Sequence, residues 1–177
     1  MLIQESPETT AALYNHVRAM VDQDRPGWHQ SDLAFCSHKA WYRKRGQKAP
    51  ISDDQVMIFF LGHAVQFLLF PVKQEDSKTA LIDGVTMTPD VEDTYFGKVK
   101  IDLGEIKSTK ASSANFTPEK YPHYLKQILC YTVPRFRADA GLTHITAHLL
   151  VFFLRGDYSF KTAASMAAWE IKISREE

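Results

Sequence analysis

The tripeptide Glu-Ile-Lys occurs twice, as Glu105–Ile106–Lys107 within "LGEIKSTK" and as Glu170–Ile171–Lys172 within "WEIKIS". In a strand the side chains alternate between faces, so the first and third residues of each triplet lie side by side. A carboxylate beside an ammonium is either a metal ligand with its catalytic partner or an idle surface ion pair. The surroundings separate the two copies. Fourteen residues lie between Asp90, in "MTPDV", and Glu105. If the two segments are hairpin neighbours, Asp90 and Glu105 converge on one spot. Glu170 has no Asp in a comparable strand-end position before it.

Hard cations such as Mg²⁺ and Mn²⁺ take oxygen ligands and keep several waters, so two carboxylates plus a substrate phosphate make a reasonable site. Such an ion lowers the pKa of a bound water and neutralises charge on a breaking phosphodiester. Lys107, on the face of Glu105, can orient the attacking hydroxide or stabilise developing negative charge. The Ile106 carbonyl can add an oxygen ligand. In "HYLKQILCYTV", Gln127 and Tyr131 stand at i and i+4, on one face of a helix following the site strand. They suit the holding of a phosphate, a water or a base, although a core tyrosine is the plainer reading. The plain alternative for the triplet is a surface ion pair beside an unrelated turn aspartate.

The elements that must position these groups read as helices first and strands later. "ETTAALYNHVRAMVDQ" predicts a helix over roughly Pro7 to Gln23, broken by "RPGWHQ". "SDLAFCSHKAWYRKRG" predicts one helix capped by Ser31 and Asp32 and stopped at Gly46. "SDDQVMIFFLGHAVQFLLFPV" predicts a third, capped by Ser52, with Asp53 and Asp54 at its positive end and Pro71 ending it. That helix is apolar nearly all round, which predicts extensive burial. "TALIDGVTMTPDV", "GKVKIDLGEIKST", "THITAHLLVFFLR" and "AAWEIKI" read as strands. Between the second and third lies a helix opened by Thr117 and Pro118 and perturbed by Pro122 and Pro134. The expected fold class is α/β: a mixed sheet of about four or five strands flanked by helices.

Composition narrows the classes. The 177 residues are 45% hydrophobic and 24% charged, which fits one domain with a sizeable core. Twenty-one basic and 21 acidic side chains give zero formal charge, so a polyanionic partner needs a local basic patch. "HKAWYRKRGQK" offers one: Lys39, Arg43 and Lys44 interleave with Trp41 and Tyr42, which suits a single strand whose bases stack while cations follow its phosphates. The competing account is a solvated basic face with a buried Trp. Two cysteines, Cys36 and Cys130, build no disulfide framework. The polar N-terminus lacks a signal-peptide pattern, and the longest apolar run is short for a bilayer span, so a soluble cytoplasmic protein is expected. His144 and His148 in "HITAH" lie on a strand, too far apart to share a small ion comfortably, and no zinc site is expected.

Taken together, "TPD" at Asp90, "EIK" at Glu105 to Lys107 and "QILCY" at Gln127 to Tyr131 resemble successive motifs of the PD-(D/E)xK nucleases. The closest branch is the RecB-type exonucleases, including the nuclease of CRISPR adaptation modules. "SDLAFCSHKAWYRKRG" is similar to the Cys-containing N-terminal helix of those CRISPR-associated enzymes, and "FLGHAVQFLL" sits where their Gly-x-x-x-His motif belongs. Coverage runs from about Ser31 to Thr132. Two departures stand out. Four positions after Gly62 comes Gln66 rather than His, while His63 follows the glycine directly; register favours Gln66 as a metal ligand, and His63 stays open. Cys36 matches the first cluster cysteine of relatives that hold iron and sulfur, but nothing after Cys130 supplies the other three, so no iron–sulfur cluster is expected.

The resemblance implies a restriction-endonuclease-like core over 51–177, with 1–50 as an N-terminal helical elaboration of the same single domain. It implies a Mg²⁺- or Mn²⁺-dependent DNA nuclease, an exonuclease favouring single-stranded DNA or ends. Asp90, Glu105, the Ile106 carbonyl and Gln66 or His63 would hold the metal, and Lys107 would position the water. Gln127, Tyr131, Lys39, Trp41, Arg43 and Lys44 would contact DNA. It leaves room for a homo-oligomer or for nuclease- or integrase-type protein partners, and no membrane. The alternatives are an endonuclease on the same core and a non-catalytic nucleic-acid-binding module; fold alone does not choose among them.

Overall fold

A computed structural model describes residues 6–21, 25–69, 79–96, 98–154 and 165–176. The first helix, α1, spans Pro7–Val21. Strand β1, Trp28–His29, leads into α2, Gln30–Phe35, and α3, Ser37–Lys44. Then follow α4, Asp53–Leu69; β2, Ala80–Ile82; β3, Val85–Met87; β4, Val91–Phe96; and β5, Val99–Thr109. The closing elements are α5, Pro122–Ala138; β6, His144–Phe153; and β7, Ser165–Ser174. Two mixed sheets result, a small one in the order β1-β3-β2 and a larger one in the order β4-β5-β6-β7.

In the larger sheet β5 is antiparallel to β4 and parallel to β6, while β6 is antiparallel to β7. Parallel strands need a long crossover, and α5 supplies it between β5 and β6. Alternation on β6 buries Ile145, Ala147, Leu149, Val151 and Phe153, and α5 adds Tyr124, Ile128 and Tyr131 to that core. A smaller cluster of Val91, Ile101 and Ile106, with Val65 of α4 against it, completes the interior. No helix among the described residues is long and apolar enough to cross a membrane.

Several sequence expectations shift. "TALIDGVTMTPDV" is not one strand but a hairpin, β2–β3, turned at Asp83 and Gly84, both at positive φ (51° and 78°). Asp-Gly is the dipeptide that such a two-residue turn demands. The helix expected from Ser31 to Gly46 is two helices, because Cys36 is extended at φ −161° and ψ 101°. Its cap lies earlier as well: the His29 N–H donates to Asp32, so Asp32 closes the first turn from within. Pro122 starts α5 rather than perturbing it, as a ring without an N–H does at a first helical position. Ser52 does cap α4, in a reciprocal pair with Gln55. The expected end of that helix at Pro71 lies outside the described residues.

The burial expected of α4 is not found. Among the described side chains of α4 only Val56 is fully buried, while Phe59, Leu61, Phe67 and Leu68 are exposed. The helix lies across one face of the sheet and meets α1 and β5 along a narrow line, where Gly62 passes close to Ser108. Apolar composition does not by itself supply a partner for every face.

Candidate active site

The β4–β5 register creates the site. Val91 stands opposite Gly104 and Glu92 opposite Leu103, so the ladder carried one step further sets Asp90 across from Glu105. Asp90 lies just before β4, not at the end of the preceding strand. Its two carboxylate oxygens are held from different directions: Gln66 Nε2 donates to Oδ1 at 3.1 Å, and the Ile106 N–H donates to Oδ2 at 2.8 Å. Glu105 is 1% exposed at the centre of the sheet. Tyr131 Oη donates to its Oε2 at 2.6 Å, and the Lys107 ammonium donates to Oε1. Gln30 Nε2 in turn donates to the Tyr131 oxygen at 2.9 Å.

The electrostatics follow from this crowding. Burial pushes Glu105 up to about 7, with the neighbouring Asp90 charge adding to the rise and Lys107 opposing it. Asp90 is raised as well, again chiefly by desolvation, against the pull of Lys107. The Tyr131 phenol is raised by burial and by Glu105, so it stays a protonated donor. His123, beside Lys107, is lowered by burial and then by that ammonium.

Among the described residues no three His, Cys, Asp or Glu side chains gather into a ready-made cage. With both carboxyls ionised, the pair exceeds the one ammonium against it by one negative charge in a desolvated place, which is costly unless compensated. Each carboxylate oxygen accepts one hydrogen bond and keeps lone-pair capacity. An oxygen-seeking divalent ion that retains waters and takes substrate oxygens fits that donor set. A tetrahedral zinc site does not, because no thiolate or imidazole joins the pair.

The sequence candidates fall into three groups. Asp90, Glu105, Ile106, Lys107, Gln66 and Tyr131 are brought together by direct contacts. Gln127 is buried one turn before Tyr131, and its side-chain oxygen has no hydrogen-bond partner. His63 is exposed on α4 and makes no contact with Asp90, which Gln66 reaches instead. In the basic segment, Arg43 pairs with the buried Asp32 at 2.5 Å, and Lys44 reaches the same carboxylate at 3.8 Å and the Arg25 carbonyl at 2.8 Å. A structural role therefore accounts for these two cations. Lys39 is exposed, and Trp41 is exposed with the Arg45 guanidinium 3.9 Å over its ring. The buried Trp of the competing account is thus not observed.

The second Glu-Ile-Lys copy is a surface ion pair. Glu170 and Lys172 lie on the edge strand β7, 3.7 Å apart, 54% and 77% exposed. Sequence reasoning missed Gln30, Phe35 and His123. Gln30 is bonded to Tyr131 across 101 residues, and Phe35 and His123 stand beside Lys107. No local spacing signals such contacts, because α2 meets α5 only in the folded chain. No protein-family model, no curated protein and no solved structure matches the chain.

Proposed function

We propose that this chain is a Mg²⁺- or Mn²⁺-dependent nuclease that hydrolyses phosphodiester bonds in DNA, acting as an exonuclease on single strands or ends. One observation carries the reading: Asp90 accepts from the Ile106 N–H and, by the β4–β5 register carried one step beyond the strand, stands opposite Glu105, to which Lys107 is bonded. A binding surface for a polyanion gains nothing from two clustered carboxylates, whereas a hydrolytic site does.

Asp90, Glu105 and the Ile106 carbonyl would hold the cation, with the Gln66 amide bracing Asp90. When bound, that ion supplies a nucleophilic hydroxide near neutral pH and neutralises charge on the phosphate. Lys107 orients the attacking water and offers its ammonium to the developing negative charge. Tyr131, fixed by Gln30, holds the Glu105 carboxylate in place and keeps one of its oxygens occupied. The preference for ends comes from the resemblance to RecB-type exonucleases.

The test is degradation of end-labelled DNA, single-stranded and duplex, linear and circular, with Mg²⁺, Mn²⁺ or EDTA. Metal-dependent cleavage is expected for wild type and for Lys172→Ala. Lys107→Ala is expected to lose on the order of a hundredfold or more. An intact closed circle supports exonuclease action, and a cut circle establishes an endonuclease. DNA binding without cleavage under any condition refutes the enzyme reading in favour of a binding module.

A further inference from the structure

Five aromatic rings run from the core to the rim of the carboxylate pair. Phe116 packs against Phe153 at 5.3 Å and Trp169 at 5.1 Å, and stacks on Tyr121 at 4.6 Å and 17°. Tyr121 stacks on Tyr124 at 5.4 Å and 8°, and His123 meets Tyr124 edge-on at 4.3 Å. Phe35, at the end of α2, leans on His123 at 4.9 Å and 46°. Phe116 is buried and Phe35 is 53% exposed, so the row is anchored at one end and open at the other. The open end stands over the site: Lys107 Nζ lies 5.9 Å from the Phe35 ring centroid and 5.5 Å from that of Tyr124.

A ring half in water adds little burial energy. It offers a flat apolar face instead, held at the rim by its neighbours. We propose that Phe35, backed by His123, is a stacking platform for the base of the nucleotide whose phosphate lies at Asp90 and Glu105, and that it makes the site take an unpaired strand. The inference rests on the nuclease reading for the identity of the strand. Every base has a π-face, so stacking of this kind tolerates any sequence. In a duplex those faces are covered by the neighbouring bases, and only a single strand or frayed end can give one up to a side chain. Because Phe35 is already braced by His123, little ordering remains to oppose binding. Lys107, between the ring and the carboxylates, thus lies beside the phosphate of the nucleotide whose base the ring covers.

The experiment compares wild type, Phe35→Ala and Phe35→Tyr on fluorescein-labelled single-stranded oligonucleotides, intact or with one abasic position moved along the strand. Binding is followed by anisotropy in Ca²⁺ and in EDTA, and cleavage by steady-state kinetics in Mn²⁺. Phe35→Ala is expected to weaken binding and raise KM by roughly 5- to 150-fold on intact strands. Phe35→Tyr restores both. The Phe35→Ala deficit disappears on the strand whose abasic position faces residue 35, and duplex binding is unchanged. An Ala variant that binds like wild type overturns the platform, as does an equal deficit on every abasic strand, which marks a merely structural side chain. If wild type cleaves nothing, the nuclease reading falls while the platform is still decided by the binding series.

Discussion

Replacing Glu105 by Gln separates the cost of burying its charge from the use the site makes of that charge. Burial and Asp90 raise the folded carboxyl from 4.5 to about 7. A carboxyl raised in the fold contributes stability that is whole below its unfolded value and is lost as pH climbs through its folded one. The gap between the two values corresponds to on the order of 3 kcal/mol. The metal-free protein should therefore lose about that much stability between about pH 4.5 and somewhat above pH 7 through this group, with Asp90 acting in the same direction. Glu105→Gln keeps an acceptor for Tyr131 but cannot ionise, so its stability should be flatter across that window. The absolute stability is a poor guide, since Lys107 loses its partner; the difference in pH slope is the readout, and it reports Glu105 together with the change it imposes on its neighbour Asp90.

Urea unfolding from about pH 4.5 to about pH 8.5 in EDTA, repeated with millimolar Mn²⁺, measures it. Cation binding needs ionised carboxylates, so Mn²⁺ should stabilise wild type increasingly as pH rises. It should do little for Glu105→Gln. Equal pH slopes for the two proteins in EDTA would refute the argument that Glu105 is a strained, buried charge. A Mn²⁺ effect indifferent to both pH and the substitution would refute its assignment as a ligand.

Other substitutions probe the frame around it. Tyr131→Phe deletes a donor to the ionised Glu105 carboxylate and should move the kcat/KM profile to higher pH by about one unit; an unmoved profile denies that bond a role. Gln66→Ala should raise the Mn²⁺ concentration needed for half-maximal cleavage, whereas His63→Ala should stay within about twofold and within about 0.5 kcal/mol of wild-type stability. The reverse order, read from metal titrations, would favour His63 as the ligand. Arg43→Ala should destabilise by about 1–2 kcal/mol in denaturant melts, because Asp32 stays buried while Arg43 is partly solvent-screened. Its effect on DNA affinity, by anisotropy, should be under about threefold if its role is structural.

The sheet strands that carry the site were legible because β-branched runs and the Glu-x-Lys alternation both follow a period of two. Asp90 could be linked to Glu105 through the hairpin hypothesis, although its position before β4 rather than after the earlier strand needed the register. The break at Cys36 was not legible, since "AFCSH" holds neither Gly nor Pro to mark it, and the α5 helix on which α2 docks lies far away in sequence. The exposure of α4 was misjudged for a related reason. Hydrophobic composition records what a helix can bury, and the neighbours available decide how much it does. The basic segment suggested DNA because its cations are clustered, but Asp32, which binds Arg43, lies eleven residues earlier and reads as a helix cap rather than as a partner for those cations.

The hydrogen bond from Gln30 to Tyr131 has a consequence for assembly of the protein. It closes a loop of 101 residues, and such closures pay their entropy before they return any energy. The strands bearing Asp90 and Glu105 are sequence neighbours and can pair early, while the clamp on Tyr131 waits for the N-terminal segment to dock. Hydrogen-exchange labelling during refolding should thus show β4 and β5 protected before α2, with cleavage returning alongside α2. A variant chain beginning after residue 50 would keep Asp90 and Glu105 yet leave Tyr131 without its Gln30 brace, so the proposed site draws on α2 as well as on the sheet.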